Sequence, residues 1–285
     1  MPAFSNQATL SYNNNTVNSN IVTGEIIEVL NATKTSLTDN YASGSTVTYV
    51  VNIINTGTVP FTGLTVTDDL GAYDLANGTT VVPLDYVNGS VRYFVNGELQ
   101  ANHVVSTASG LTVNGITVPA GGNAQILYQT KVNNFAPLAA GSVINNTATI
   151  TGAGLTNPVE AAETIAINAD PILSILKAVS PSTVSENGTL NYTFTIQNTG
   201  NTAADAADNI VVSDTFNPIL NPITVTLDGK TLIEDTDYTY DTTTGLFTTT
   251  AGRITVPAAA FTQNPTTGEN VVTPGTTVLT VSGIV

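Results

Sequence analysis

Residues 46–57 read TVTYVVNIINTG, and residues 189–200 read TLNYTFTIQNTG. In each run large apolar side chains recur at every second position: Val47, Tyr49, Val51 and Ile53 in the first, Leu190, Tyr192, Phe194 and Ile196 in the second. A period of two is the signature of a strand with one buried face. Both runs end in Asn-Thr-Gly, which marks a turn. Working outward, the two halves of the chain stay in step. Lys34 falls on Lys177, LTVTDDL (64–70) on IVVSDTF (210–216), and ITVPA (116–120) on ITVPA (254–258). FVNGEL (94–99) corresponds to TLDGKTL (226–232), and AGGNAQILYQTKV (120–132) to PGTTVLTVSGIV (274–285). Short strands rich in Val, Ile, Thr and Tyr, separated by NG, DG, NTG and PG turns, define an all-β protein. No segment carries helix start and stop signals. The expected architecture is two tandem immunoglobulin-like β-sandwich domains plus an N-terminal donor strand.

The order of a tyrosine-bearing strand, an NTG turn, a "TVTD" strand, a PG-led strand and an "NTAT" strand occurs in register in both halves. It resembles the tandem surface-repeat family of bacteria and archaea numbered eleven among the domains of unknown function. That resemblance implies extracellular immunoglobulin-like modules of structural or adhesive use. The family domain ends with the NTAT strand, whereas this chain begins with it.

That phase is the second informative feature. FSNQATLS (4–11) matches INNTATIT (144–151), placing Phe4 on Ile144, Asn6 on Asn146, Ala8 on Ala148 and Leu10 on Ile150. The expected layout is a donor strand (1–12), a polar tether (13–27), a complete first domain (28–152), a linker (153–168) and a second domain lacking its last strand (169–285). A sandwich missing a strand leaves an open edge and core, which recruit a strand from elsewhere. Phe4, Asn6, Ala8 and Leu10, with Tyr12, share the inward parity. Donor and acceptor at opposite ends give a head-to-tail contact and an open fibre. Two other readings stand beside this one. Residues 1–12 fold back onto the second domain of their own chain, or the limits of the sequence create the mismatch.

Three polar residues per repeat also fall on apolar parity. They are Lys34, Asp68 and Asn146 in the first, and Lys177 and Asp214 in the second, with Asn6 supplied by a neighbouring subunit. Buried charges must meet partners. The trio has the chemistry of a Lys–Asn isopeptide bond, in which burial favours a neutral amine and a protonated carboxyl. The alternative is a Lys–Asp ion pair with the Asn hydrogen-bonded nearby.

Composition narrows function. There are 6 Lys and Arg against 21 Asp and Glu, a formal charge of −15, which opposes nucleic-acid binding. The chain has no Cys, which excludes disulfides and thiolate metal sites, and a single His, His103, expected in a solvated loop. No catalytic constellation, metal site or cofactor is expected, and the protein is read as not an enzyme. Asp205/Asp208 and Glu234/Asp235/Asp237 lack the spacing of a calcium loop. No apolar run spans a membrane, and MPAFSNQAT is not a signal peptide. The expected role is a structural subunit of an extracellular fibre or pilus on a cell or spore surface, with itself as partner. The alternative is a cell-surface adhesin that binds a host or matrix protein, with the repeats as its stalk.

Overall fold

The computed structural model describes residues 3–107 and 110–285. It is all-β; the one helical turn among the described residues is Ala206–Asp208. The chain divides into two compact units: residues 1–136 with 143–166, and residues 137–142 with 167–285.

The first unit is a sandwich of two antiparallel sheets. One runs Glu98–Gln100, Arg92–Val95, Asn123–Val132, Thr46–Asn55, Leu30–Ser36. The other runs Val104–Ser106, Leu111–Val118, Phe61–Asp68, Val143–Thr151, Val159–Ile167, Asn40–Tyr41. The alternation read from 46–55 is realised residue by residue: Val47, Tyr49, Val51 and Ile53 are all fully buried. Their neighbour in the sheet, Ile126, and Leu64, Ile116 and Ile150 of the other sheet are also without exposure or nearly so. Asn96 (φ 48°) and Gly97 (φ 85°) both turn left-handed, the conformation an Asn-Gly hairpin turn requires.

The Asn-Thr-Gly signal is a buried clamp. Asn55 Oδ1 accepts the Gly57 amide at 2.9 Å, while its Nδ2 donates to the Val59 and Pro119 carbonyls at 2.8 and 3.0 Å. Asn198 repeats this with the Gly200 amide at 2.9 Å and the Thr202 carbonyl at 2.7 Å. Gly200 is required sterically, since a Cβ there would lie 2.1 Å from the Asp170 carbonyl oxygen.

The second unit keeps the first sheet: Leu173–Ser180, Thr189–Asn198, Gly275–Ile284, Ile223–Leu227, Lys230–Thr231. Its second sheet is only Ser213–Thr215, Leu246–Thr249 and Tyr238–Tyr240. The core gathers Phe194, Ile196, Phe216, Tyr238, Phe247, Leu279 and Val281.

Two segments differ from the sequence reading. Residues 153–168 are expected as a linker, but Val159–Ile167 is a strand hydrogen-bonded along Val143–Thr151, from Ile150↔Val159 to Val143↔Ala166. The first unit therefore runs past 152 to Ala166. Residues 13–27 are expected as a tether, yet they hold Asn15–Asn18 and Val22–Glu25, which pair with Thr9–Tyr12 and Ala3–Asn6. Asn13 (φ 41°) and Asn14 (φ 62°) form the left-handed turn between them. The N-terminal segment is thus a β-hairpin rather than a strand on a leash.

Candidate functional site

The first trio lies inside the first unit. Lys34, on Leu30–Ser36, shares its inward face with Leu30, and its side chain is 0 % exposed. Its Nζ donates to Asp68 Oδ2 at 2.6 Å. Asp68 ends its strand and pairs with Ala148 across the sheet; Asn146 is two residues along, on the same face. That is a diagonal neighbour, within reach of side-chain contact.

Several residues join this cluster that parity alone does not reveal. The Tyr128 hydroxyl donates to Asp68 Oδ2 at 2.5 Å, and the Leu70 amide donates to Asp68 Oδ1 at 3.0 Å. Gly71, at φ 73°, donates its amide to Asn146 Oδ1 at 3.2 Å. A Cβ at Gly71 would lie 2.6 Å from Ile144 Cγ2, so the loop closes this tightly only with glycine. Lys34 Nζ also sits 4.9 Å from the centre of the Tyr49 ring, which stacks on Tyr128 at 5.7 Å. Asn146 Nδ2 and the Tyr49 hydroxyl are buried without a hydrogen bond of ordinary geometry, and burial raises the Tyr49 and Tyr128 phenols above their usual range, with the Asn146 amide pulling the other way.

Burial dominates the electrostatics. Desolvation lowers the Lys34 amine below its usual range, against the opposing pull of Asp68. Desolvation likewise raises the Asp68 carboxyl, against the opposing pull of Lys34 and its donors. Both directions favour the pair as neutral amine and protonated acid. A neutral amine is a nucleophile; a protonated acid and a backbone N–H can polarise a carboxamide carbonyl.

Of the second trio Lys177 and Asp214 meet, while Asn6 lies on the N-terminal hairpin. Lys177 Nζ donates to Asp214 Oδ2. By strand register Tyr128 opposes Tyr49, while Val281 opposes Tyr192, so the second pocket has no tyrosine in that position. Lys177 instead lies over the rings of Tyr192, Phe194 and Phe216 at 4.7, 5.6 and 5.6 Å. Asn6 is exposed on the N-terminal hairpin, as are Phe4, Ala8 and Leu10.

Comparing repeat-equivalent positions locates an open groove. The Lys177 side chain is 43 % exposed where that of Lys34 is 0 %. Leu173 is 40 % exposed where its counterpart Leu30 is 5 %. Ile175 and Val179 share this face and are also exposed. Ser213–Thr215, counterpart of the end of Phe61–Asp68, pairs with Leu246–Thr249 on one side only. In the first unit the corresponding edge is covered by Val143–Thr151 and then Val159–Ile167.

The remaining candidates have structural roles. Asp205 and Asp208 cap the short helical turn reciprocally. Asp237 pairs with Arg253 at 3.2 Å. His103, expected as solvated, is half-buried with its ring edge-on to Tyr93 at 6.1 Å. Among the described residues no group of three or more His, Cys, Asp and Glu side chains is placed to hold a metal. Among the same residues no helix is long and apolar enough to cross a membrane.

Fold and site together define a tandem immunoglobulin-like β-sandwich protein with one closed and one open module. No protein-family profile and no curated protein sequence matches the chain. Among solved structures, the major pilin subunit of Bacillus cereus is similar at 13 % identity and TM-score 0.36, over 96 % of this chain and 73 % of that one. The pilus backbone protein of Streptococcus pneumoniae is similar at 12 % identity and TM-score 0.33, over 86 % of this chain and 55 % of that one. A C-terminal fragment of the major pilin of Streptococcus agalactiae is similar at 11 % identity and TM-score 0.34, over 87 % of this chain and 91 % of that one.

Proposed function

We propose that this chain is a structural subunit of an extracellular fibre, joined head-to-tail by insertion of residues 4–12 into the second unit of the next copy. The observation that carries this reading is the open inner row Leu173, Ile175, Lys177 and Val179, whose counterparts in the first unit are buried at Leu30 and Lys34 and partly buried at Ala32 and Ser36. Residues 4–12 repeat the sequence that does the covering there, and they are themselves exposed: Phe4, Leu10 and Tyr12 stand out in solvent. In the joint, Ala8 takes the place of Ala148 opposite Asp214, and the free edge of Ser213–Thr215 gains a ladder partner.

Apolar burial alone gives a weak joint. Leu173, Ile175, Phe4, Leu10 and Tyr12 are each about half exposed. Covering them contributes roughly 1 kcal/mol apiece, about half the value for full burial. The total of about 5 kcal/mol falls within the ~4–15 kcal/mol cost of association. Backbone ladder bonds and a covalent seal supply what the apolar contact lacks.

The seal is a Lys–Asn isopeptide bond. Within the first unit, the neutral Lys34 Nζ attacks Asn146 Cγ. The new C–N bond replaces the bond to Nδ2, which leaves as ammonia, taking the proton the amine gives up. Asp68 shuttles that proton and, with the Gly71 amide, stabilises charge on the carboxamide oxygen. Between subunits, Lys177, Asp214 and the incoming Asn6 stand in the same relation. This reading matches the surface-repeat resemblance in the sequence and places the protein outside its cell.

Electron microscopy of the purified chain tests the assembly. Fibres from the full chain and only monomers from a chain lacking residues 1–12 are the expected pair of results. Fibres from the shortened chain would overturn the reading.

A further inference from the structure

In the first unit the Asn146 strand does not close the sandwich alone. Val159–Ile167 pairs along its whole length, and from it Glu163 reaches across to the opposite sheet. Glu163 Oε1 accepts the Ser36 hydroxyl at 2.8 Å and the Ser36 amide at 3.2 Å. Ser36 belongs to the inward row of Leu30 and Lys34. It is therefore the Val159–Ile167 strand, beyond Asn146, that covers this end of the row. The second unit has neither strand among its described residues. A single donor lying beside Asp214 would leave the Val179 end of the inner row uncovered.

The N-terminal hairpin carries both. Asn6 pairs with Val22 where Asn146 pairs with Glu163, and Leu10 pairs with Val17 where Ile150 pairs with Val159. Val22 thus occupies the Glu163 position. On the acceptor side, Ser36 opposes Tyr49 and Val179 opposes Tyr192, so Val179 occupies the Ser36 position. The hydrogen-bonded pair of the closed unit, Ser36 and Glu163, becomes Val179 and Val22 across the joint. Both partners have changed from polar to apolar together, and both are exposed, Val22 at 54 % and Val179 at 44 %.

We infer that the donor is the whole hairpin of residues 3–25, which enters the second unit of another copy as two strands and seats Val22 on Val179. This deepens, and rests on, the fibre reading above. The second arm replaces Val159–Ile167 as the first replaces Val143–Thr151. The exchanged pair also fixes which units accept the hairpin. A valine at the Glu163 position would strand the Ser36 hydroxyl of a closed unit, and a glutamate at the Val22 position would bury its carboxylate against Val179. A two-stranded ribbon is marginal by itself, and it gains lasting order in a partner.

The test uses the full chain in three forms. A Thr9→Cys/Ser213→Cys variant reports the first arm, because the equivalent Thr149 and Thr67 pair directly and the chain has no other cysteine. Val22→Glu reports the second arm; Val22 is exposed in the single chain, so folding is not at stake. Val22→Glu/Val179→Ser rebuilds the polar pair of the first unit. The expected results are disulfide-linked multimers from the cysteine variant and a rise of about tenfold or more in the assembly concentration for Val22→Glu. The double variant should recover assembly. Undiminished assembly of Val22→Glu, with the cysteine link intact, would overturn the hairpin and leave a single-strand donor. Failure of the double variant to recover would equally overturn the Val22–Val179 contact. Absence of both link and assembly would remove the fibre reading and the hairpin with it.

Discussion

Replacing one aspartate in each repeat separates a closed site from an open one. Asp68→Ala removes the acceptor of three buried donors: Lys34 Nζ at 2.6 Å, the Tyr128 hydroxyl at 2.5 Å and the Leu70 amide at 3.0 Å. Removing one partner of a buried pair costs about 3–5 kcal/mol. For a unit of this size each kcal/mol moves the melting point by about 2–4 °C, so the expected fall is roughly 6–20 °C. Asp214→Ala removes the equivalent partner from Lys177, whose side chain is 43 % exposed and can turn to water. A pair this open contributes about 1 kcal/mol or less. Calorimetry of the dilute, unassembled chain reads both transitions. Equal shifts at the two sites, or a loss under about 1 kcal/mol for Asp68→Ala, would refute the contrast on which the open groove rests.

Further outcomes follow from the same geometry. The intact mass should be lighter than the sequence by one ammonia, and Lys34→Ala or Asn146→Ala should restore the full mass; a native chain at full mass argues for the ion pair alone. In Lys34→Met the Asp68 carboxyl keeps its raised folded-state value without the opposing amine. A raised folded value means stability is fully present below the ordinary value of 3.8 and is lost as pH rises through the folded one. Chemical denaturation of that variant should accordingly show the first unit more stable at pH about 4 than at pH about 7, and the opposite slope contradicts the burial argument. Asn55→Ala strands the Gly57 amide and two carbonyls of the turn clamp. It should cost about 2–4 kcal/mol in urea unfolding, against under about 0.5 for an exposed Asn77→Ala.

Much of this is legible in the amino-acid pattern itself. Alternation at 46–55 and 189–198 gave the central strands because one face of each is buried and the other wet. The inward parity of Lys34, Asp68, Lys177 and Asp214 was visible because a charge in an apolar row stands out. The strand Val159–Ile167 was not visible. VEAAETIAI is rich in Ala and Glu, which favour strands weakly, and Glu163 occupies an inward position. Its counterpart in residues 15–25 has diverged, with Gly24 under the Phe4 ring and a register change between Asn6↔Val22 and Thr9↔Asn18. Short stretches such as NTVN and VTGE carry no sustained apolar row to mark that second arm. Tyr128 is hidden in the sequence for a related reason: its counterpart is Val281, so the residue does not repeat. Gly71 acts through its backbone, which side-chain pattern cannot report.

The central claim is that the inner row of the second unit is completed by the N-terminal residues of another copy. Phe4→Asp/Leu10→Asp places two charges on exposed positions of the hairpin, where the fold of a single chain does not depend on them. Sedimentation of this variant beside the native chain, at matched concentration, is the most direct measurement. Large assemblies from the native chain, and monomers from the variant that melt where the dilute, unassembled native chain melts, are the predicted result. Assemblies of equal size from both would contradict the account.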